Sequence, residues 1–132
     1  MKSFTDIEQS KKLAEILPIE TADMWYAEVY EGKTVGYDYI VSDTPYYSLS
    51  LIKPSENNYS QNTVKDIPAW SLPSLLQIIN KDFYTDLYHD GELWTVDVQH
   101  HDNGEINEFV YSDEPIDACV EIIVKLNEKG LI

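Results

Sequence analysis

The apolar and polar positions in the C-terminal part of the chain alternate as they do in antiparallel strands that bury one face. Asp90-Gly91 and Asn103-Gly104 each lie between two such alternating runs, and both dipeptides are typical of two-residue hairpin turns. Two turns of this kind predict a three-stranded antiparallel meander. Both predicted registers place the same apolar set on one face of the meander: Phe83, Leu87, Trp94, Val96, Val98, Phe109 and Tyr111.

A final amphipathic helix is predicted from about Pro115 to Lys129. Gly130 ends it, and Leu131 is placed to fold back on the last turn, as the Schellman motif requires. We expect this helix to cover the apolar face of the meander. Its broad apolar side comprises Ile116, Cys119, Val120, Ile123 and Val124.

The opposite face of the meander is too apolar for a freely solvated surface and too charged for a core. Either the N-terminal hairpin partly covers it, or it is an interaction surface. Its predicted members are Tyr84, Asp86, Tyr88, Leu93, Thr95, Asp97, Gln99, His101, Ile106, Glu108 and Val110.

Two helices are predicted in the first 80 residues. Thr5-Asp6-Ile7-Glu8 is typical of a capping box and predicts a helix that ends before Pro18. Ser71 to Asn80 predicts the second helix, with Pro73 tolerated in its first turn. Trp70, directly before this helix, is interpreted either as a core anchor or as an exposed binding hot spot.

The remaining N-terminal segments predict a hairpin, a third strand and a loop. Trp25 to Tyr30 and Thr34 to Val41 alternate around Glu31-Gly32-Lys33, which predicts a tyrosine-rich hairpin. Tyr46 to Ile52 predicts a third strand, and the polar segment Lys53 to Asp66 predicts a long loop. The patterns together predict one α+β domain over 1–132, with a small antiparallel sheet in two hairpin groups and about three helices.

The charge of the chain excludes one class of partner. There are 24 acidic residues against nine basic ones, all nine are Lys, and the net charge is −15. Nucleic-acid binding depends on neutralising phosphates, so direct binding is not expected. From Asp82 to Val124 there are twelve acidic residues and no Lys or Arg. This acidity either only keeps the protein soluble, or forms a docking face for a basic protein, or mimics nucleic acid.

No side-chain pattern predicts a catalytic, cofactor or metal site. We therefore expect no cofactor, and the sequence favours a protein that is not an enzyme. His100 and His101 point to opposite faces of a strand, and Asp97 lies roughly 13 Å from His101 along it, which disfavours a metal site. Cys119 lies on the apolar side of the last helix and is interpreted as a small buried hydrophobe. A single cysteine, no membrane-spanning run and no signal peptide predict a cytoplasmic protein.

Three blocks of sequence carry a resemblance to a known family. They are Glu8–Leu13 with Glu20–Met24, then Ile67–Leu72, then Asp113–Cys119 with Glu128–Ile132. These blocks resemble a family of short uncharacterised proteins from gut Bacteroidetes, their phages and their mobile elements. The resemblance implies a cytoplasmic accessory protein of phage or mobile-element origin, and it assigns no catalytic residue.

The sequence therefore predicts a non-enzymatic protein-interaction module whose partner is a protein. A basic protein would complement the negative charge of the chain. The alternatives are a small ligand-binding domain or enzyme with a tyrosine-lined cleft, a nucleic-acid mimic with carboxylates at phosphate-like spacing, and a homodimer formed through the mixed face. The tyrosines considered for a cleft are Tyr26, Tyr30, Tyr37 and Tyr39. The candidate interaction residues are Tyr84, Asp86, Tyr88, Leu93, Asp97, His101, Ile106, Glu108 and Trp70.

Overall fold

The computed structural model describes residues 1–51, 53 and 63–132, which form an α+β fold of three helices and three small antiparallel sheets. The predicted fold class is confirmed. The helices are α1 (Ile7–Ala14), α2 (Leu72–Asn80) and α3 (Pro115–Glu128), with a short 3₁₀ helix at Ile19–Thr21. The strands are β1 (Met24–Tyr30), β2 (Gly32–Val35), β3 (Asp38–Val41), β4 (Tyr46–Ser50), β5 (Thr63–Ala69), β6 (Phe83–His89), β7 (Trp94–His100) and β8 (Asn107–Ser112).

The C-terminal sheet has the order β6-β7-β8, and α3 packs on one of its faces, as predicted. The end of α3 is a Schellman motif: Leu131 N donates to Leu126 O at 2.9 Å, and Gly130 N donates to Asn127 O at 3.0 Å. Gly130 has φ +70°, which explains why a glycine stands there. The main core lies between α3, α2 and the sheet; its largest fully buried side chains in this region include Leu75, Ile79, Phe83, Val96, Val98, Ile116, Ile122, Ile123 and Leu126.

The β6–β7 loop has four residues, where the sequence predicts two. The Asp90 side chain accepts hydrogen bonds from the backbone N–H groups of Glu92 and Leu93, each at 2.9 Å, and Gly91 has φ +103°. Leu87 therefore pairs with Val96, two positions from the predicted partner. A shift of two residues preserves the side-chain faces, so the predicted apolar faces of β6 and β7 remain correct.

The β7–β8 register differs from the prediction by one residue. Gly104 lacks the positive φ that a two-residue Asn-Gly turn needs. Instead, the Asn103 side chain accepts from Glu105 N at 3.1 Å, and Ile106 N donates to Asn103 O at 3.0 Å. The loop is therefore longer, and Val98 pairs with Glu108.

A one-residue shift moves every side chain of β8 to the other face of the sheet. Phe109 and Tyr111, predicted to face the helix, point away from α3 and are exposed. Val110, Ile106 and Glu108, predicted on the opposite face, lie on the α3 side. The predicted faces of β8 are wrong.

The N-terminal sheet has the order β4-β1-β5, and β2 pairs only with β3 among the described strands. The hairpin predicted around Glu31-Gly32-Lys33 is wrong, because the chain turns instead at Gly36-Tyr37, where Gly36 has φ +64°. The predicted third strand is present as β4, although Ile52 lies outside the described residues. The predicted loop is wrong for Thr63–Asp66, which belong to β5, and its part at 54–62 lies outside the described residues.

Helices α1 and α2 begin close to their predicted starts. The capping box of α1 uses Asp6 and Gln9, one residue later than predicted, with Asp6 Oδ1 accepting from Gln9 N at 2.8 Å. The Thr5 hydroxyl is buried and hydrogen-bonded to Ser10 Oγ at 2.7 Å, which keeps it from capping. Helix α2 begins at Leu72, one residue after the predicted Ser71, because the Ser71 side chain caps the helix by accepting from Ser74 N.

The Thr85 hydroxyl is buried and has no hydrogen-bond partner among the described residues. Thr85 pairs with Val98 on the α3 side of β6. Because valine has nearly the same shape and no hydroxyl, we expect Thr85→Val to raise the free energy of unfolding by about 1 kcal/mol and the Tm by about 3 °C. Thermal unfolding followed by circular dichroism measures this, with Thr85→Ala as a control that loses methyl packing. A lower Tm for Thr85→Val than for wild type would show that the hydroxyl is satisfied.

Candidate interaction surface

The face of the C-terminal sheet that points away from α3 is the candidate site, called here the outer face. Strands β6, β7 and β8 each contribute three residues to it, because side chains alternate along a strand. Its members are Tyr84, Asp86, Tyr88, Thr95, Asp97, Gln99, Asn107, Phe109 and Tyr111.

Four aromatic side chains dominate the outer face. Tyr84, Tyr88, Phe109 and Tyr111 are 64%, 49%, 57% and 59% exposed. Thr95 pairs with Tyr88 on one side and Tyr111 on the other, and it is itself buried between these larger neighbours. The described N-terminal strands leave this face uncovered, so the prediction that they partly cover it is wrong.

Two carboxylates lie at the centre of the outer face. Asp86 is directly opposite Asp97, and Asp97 is directly opposite Phe109 on the other side. Directly opposite residues have Cβ atoms about 4.5–5.5 Å apart, and like charges at this spacing are destabilising. Both side chains are exposed, and within 1–51, 53 and 63–132 neither has an ion pair or a side-chain hydrogen bond.

His101 extends the outer face beyond β7. Its ring lies 4.4 Å from the Tyr84 ring, centroid to centroid, and its backbone N–H donates to Asp82 O at 3.0 Å. Leu93 lies in the β6–β7 loop and is half-buried.

The structure brings five of the nine candidate residues together and separates the rest. Those on or beside the outer face are Tyr84, Asp86, Tyr88, Asp97 and His101. Ile106 is partly buried against the core, so it does not belong to the outer face. Trp70 is fully buried, which confirms the core-anchor interpretation and makes the hot-spot interpretation wrong.

Glu108 lies on the α3 side, where it is neutralised. Its carboxylate is 2.9 Å from Lys125 Nζ and also accepts a hydrogen bond from Lys129. These bonds, first that from Lys129 and then that from Lys125, hold the pKa of Glu108 below its usual value. Asp86, Asp97 and Glu108 therefore do not form the phosphate-like array that a nucleic-acid mimic requires.

Phe109 and Tyr111 belong to the outer face, although the sequence pattern predicts them on the other side. The signal that identifies them is Glu108, because only an orientation towards α3 brings its carboxylate to the lysines in the last turns of that helix. Since neighbours along a strand point to opposite faces, Phe109 must then point outward.

A cleft of about 710 Å³ lies where the end of α1, the 3₁₀ helix and α2 meet. Two of its polar residues are used within the fold: Asp23 accepts hydrogen bonds from Ser71 N at 2.9 Å and from Ser71 Oγ, and Ser74 Oγ donates to Thr21 O at 2.5 Å. No tyrosine is among the described residues that line it. The tyrosine-lined cleft is therefore not this cavity.

The structure also shows the surroundings of the cysteine and of the side chains that could bind a metal. Cys119 is buried in α3, and burial raises the pKa of its thiol to about 12. In the described parts of the chain, no group of three or more His, Cys, Asp or Glu side chains is arranged to hold a metal ion. None of the described helices combines the length and apolar character needed to cross a bilayer.

No family model, curated protein or solved structure matches this chain. The resemblance to short proteins of Bacteroidetes phages and mobile elements stays a prediction.

Proposed function

We propose that this chain is a non-enzymatic protein-interaction module that binds a protein partner through the outer face. The observation that carries the proposal is the group of four exposed aromatic side chains around the carboxylates of Asp86 and Asp97, which have no ion-pair partner among the described residues. An acidic chain has many solvated carboxylates, but solvation does not require Tyr84, Tyr88, Phe109 and Tyr111 on one sheet face.

Aromatic side chains are enriched in protein interfaces because they offer large contact areas at low cost in side-chain entropy. The tyrosines add a hydroxyl that satisfies a hydrogen bond at the rim of such an interface. The outer face is also backed by a buried layer, since Val96 and Val98 of the central strand pack against α3. A backbone held in this way loses little conformational freedom when a partner binds.

Three potentially reactive groups elsewhere in the described chain serve the fold, which supports an interaction role over catalysis. Asp23 holds the start of α2, Glu108 pairs with α3, and the Cys119 thiol is buried with a raised pKa. A nucleophile needs the opposite environment, which lowers the pKa and exposes the sulfur.

Site-specific photocrosslinking tests this proposal. A variant that carries Phe109→p-benzoylphenylalanine is irradiated in a lysate of the organism that encodes the chain. Its crosslinked products are compared with those of a variant that carries Tyr37→p-benzoylphenylalanine. Tyr37 is a fully exposed aromatic at the tip of the β2–β3 hairpin, away from the outer face. We expect position 109 to give one discrete crosslinked protein that position 37 does not give.

Competition shows whether this product depends on the outer face. Excess unlabelled wild-type chain is expected to remove the product, excess Tyr37→Ser to remove it equally, and excess Tyr111→Ser to remove it poorly. Equal crosslinking from both positions, or equal competition by both variants, would place binding elsewhere. A product with the mass of two copies of this chain would assign the face to a homodimer instead.

A further inference from the structure

The opposed carboxylates of the outer face are a feature that the fold does not require. Asp86 and Asp97 are directly opposite each other at the centre of the sheet, a placement of like charges that is generally less stable than a polar neutral residue or a cross-strand ion pair. Local arrangements that lower stability are expected at functional sites, where a ligand compensates them.

In the described part of the chain, no cationic group forms an ion pair with Asp86 or Asp97. Lys125 and Lys129 follow the meander in sequence, but both bind Glu108 on the other side of the sheet. The segment from Asp82 to Val124, which contains the whole meander, has no Lys or Arg, and the complete chain has no Arg.

We infer that the partner presents an arginine or lysine side chain that sits between Asp86 and Asp97 and against the neighbouring aromatic rings. This inference rests on the proposed function and adds the chemistry of the partner. A cation placed there relieves the carboxylate repulsion and forms charge-assisted hydrogen bonds. Arginine fits better than lysine, because its planar fork binds carboxylates through two donors and also stacks on aromatic faces.

The arrangement of the rings supports a cation as the occupant. Phe109 is directly opposite Asp97, and Tyr84 and Tyr88 flank Asp86 two positions away on the same strand face. Two positions along a strand correspond to about 6.8 Å, so a cation at the carboxylate pair lies near the roughly 6 Å range of cation–π contacts with these rings. The Phe109 ring has no polar atom, so its exposed face is available only for apolar and cation–π contacts.

Charge complementarity favours a cationic side chain of a partner protein over a second copy of this chain and over nucleic acid. A second copy meeting the same face around a two-fold axis would bring four carboxylates together, and the outer face has neither an arginine nor a lysine to place between them. Nucleic acid would add phosphates to a chain of net charge −15.

The probe for the test is the acetylated and amidated peptide Gly-Arg-Gly-Arg-Gly-Arg, with the lysine and serine versions for comparison. Titration into the ¹⁵N-labelled full chain at 50 mM and 150 mM salt maps binding by NMR. We expect amide shifts centred on β6, β7 and β8 at both salt concentrations, with affinity in the order arginine, lysine, serine.

Two double variants with the same change of charge provide the matched comparison. Asp86→Asn with Asp97→Asn is expected to weaken binding of the arginine peptide by about tenfold or more. Glu121→Gln with Glu128→Gln removes two exposed carboxylates from α3, on the far side of the sheet, and is expected to change the affinity by less than about twofold. The Asp variant is also expected to keep or raise the Tm, whereas residues needed for folding would lower it.

The outcomes separate this inference from the proposed function. Shifts spread over all acidic surfaces, equal losses in both double variants, or no binding of the arginine peptide would overturn the inference. If crosslinking from position 109 still succeeds in that case, the outer face binds a partner that is not basic. If crosslinking also fails, the proposed function fails with it.

Discussion

Trp70→Ala is expected to lower the free energy of unfolding by about 3–5 kcal/mol, which is a large share of the stability of a domain of this size. Trp70 is fully buried in the main core. Its indole N–H donates to Thr21 Oγ1 at 2.9 Å, and its backbone N–H donates to Thr5 Oγ1 at 3.1 Å. Residue 70 therefore connects the start of the chain to the 3₁₀ helix. An alanine keeps the backbone bond to Thr5, but it loses the indole bond to Thr21 and leaves a cavity in the main core.

Urea denaturation followed by far-ultraviolet circular dichroism measures this effect without depending on tryptophan fluorescence. Trp25→Ala is the matched control, because Trp25 lies on β1 and is only half-buried, so a smaller loss of about 1 kcal/mol is expected there. Trp70→Phe keeps most of the apolar volume but loses the hydrogen bond to Thr21, so its loss is expected to lie between those two. Equal losses for Trp70→Ala and Trp25→Ala would mean that Trp70 is not a core anchor.

The elements that the sequence predicts correctly are those determined by nearby residues. The start of α2 after Ser71 and the end of α3 before Gly130 each depend on a cap within a few positions of the helix. Such local signals act whatever the rest of the chain does. The α+β class follows from the same elements.

The pairing of strand β1 differs from the predicted hairpin because both of its partner strands are distant in sequence. The run from Trp25 to Tyr30 pairs on one side with β4 and on the other with β5, nearly forty residues away. No local pattern distinguishes this arrangement from a hairpin with the adjacent segment. The turn at Gly36-Tyr37 connects only the two short strands β2 and β3, which pair with each other.

The sequence predicts the outer face correctly for β6 and β7 but not for β8. The physical reason is that side chains alternate between the two faces along a strand. An error of two residues at Asp90-Gly91 leaves β6 correct, so Tyr84, Asp86 and Tyr88 are on the predicted face. An error of one residue at Asn103-Gly104 reverses β8 completely. A hairpin turn read from a dipeptide therefore locates a strand pair more reliably than it assigns side chains to faces.

The Cys119 thiol is expected to react about 1,000-fold more slowly in the native protein than in the unfolded chain at pH 7.5. Burial raises its pKa from 9.0 to about 12, which lowers the fraction of reactive thiolate by about that factor. Because the folded pKa is the higher one, the thiol supports folding below pH 9, and this contribution is lost as the pH rises from 9 towards 12.

Iodoacetamide labelling followed by mass spectrometry, with and without 8 M urea, measures the ratio of the two rates. Ser3→Cys in a Cys119→Ala background supplies an exposed thiol as the control, and its rate is expected to change little on unfolding. Trp70→Ala is expected to accelerate labelling of Cys119, because both side chains belong to the same core and loss of stability populates open states. Native labelling of wild-type Cys119 within tenfold of the unfolded rate would contradict a buried thiol, and it would reopen Cys119 as a reactive group.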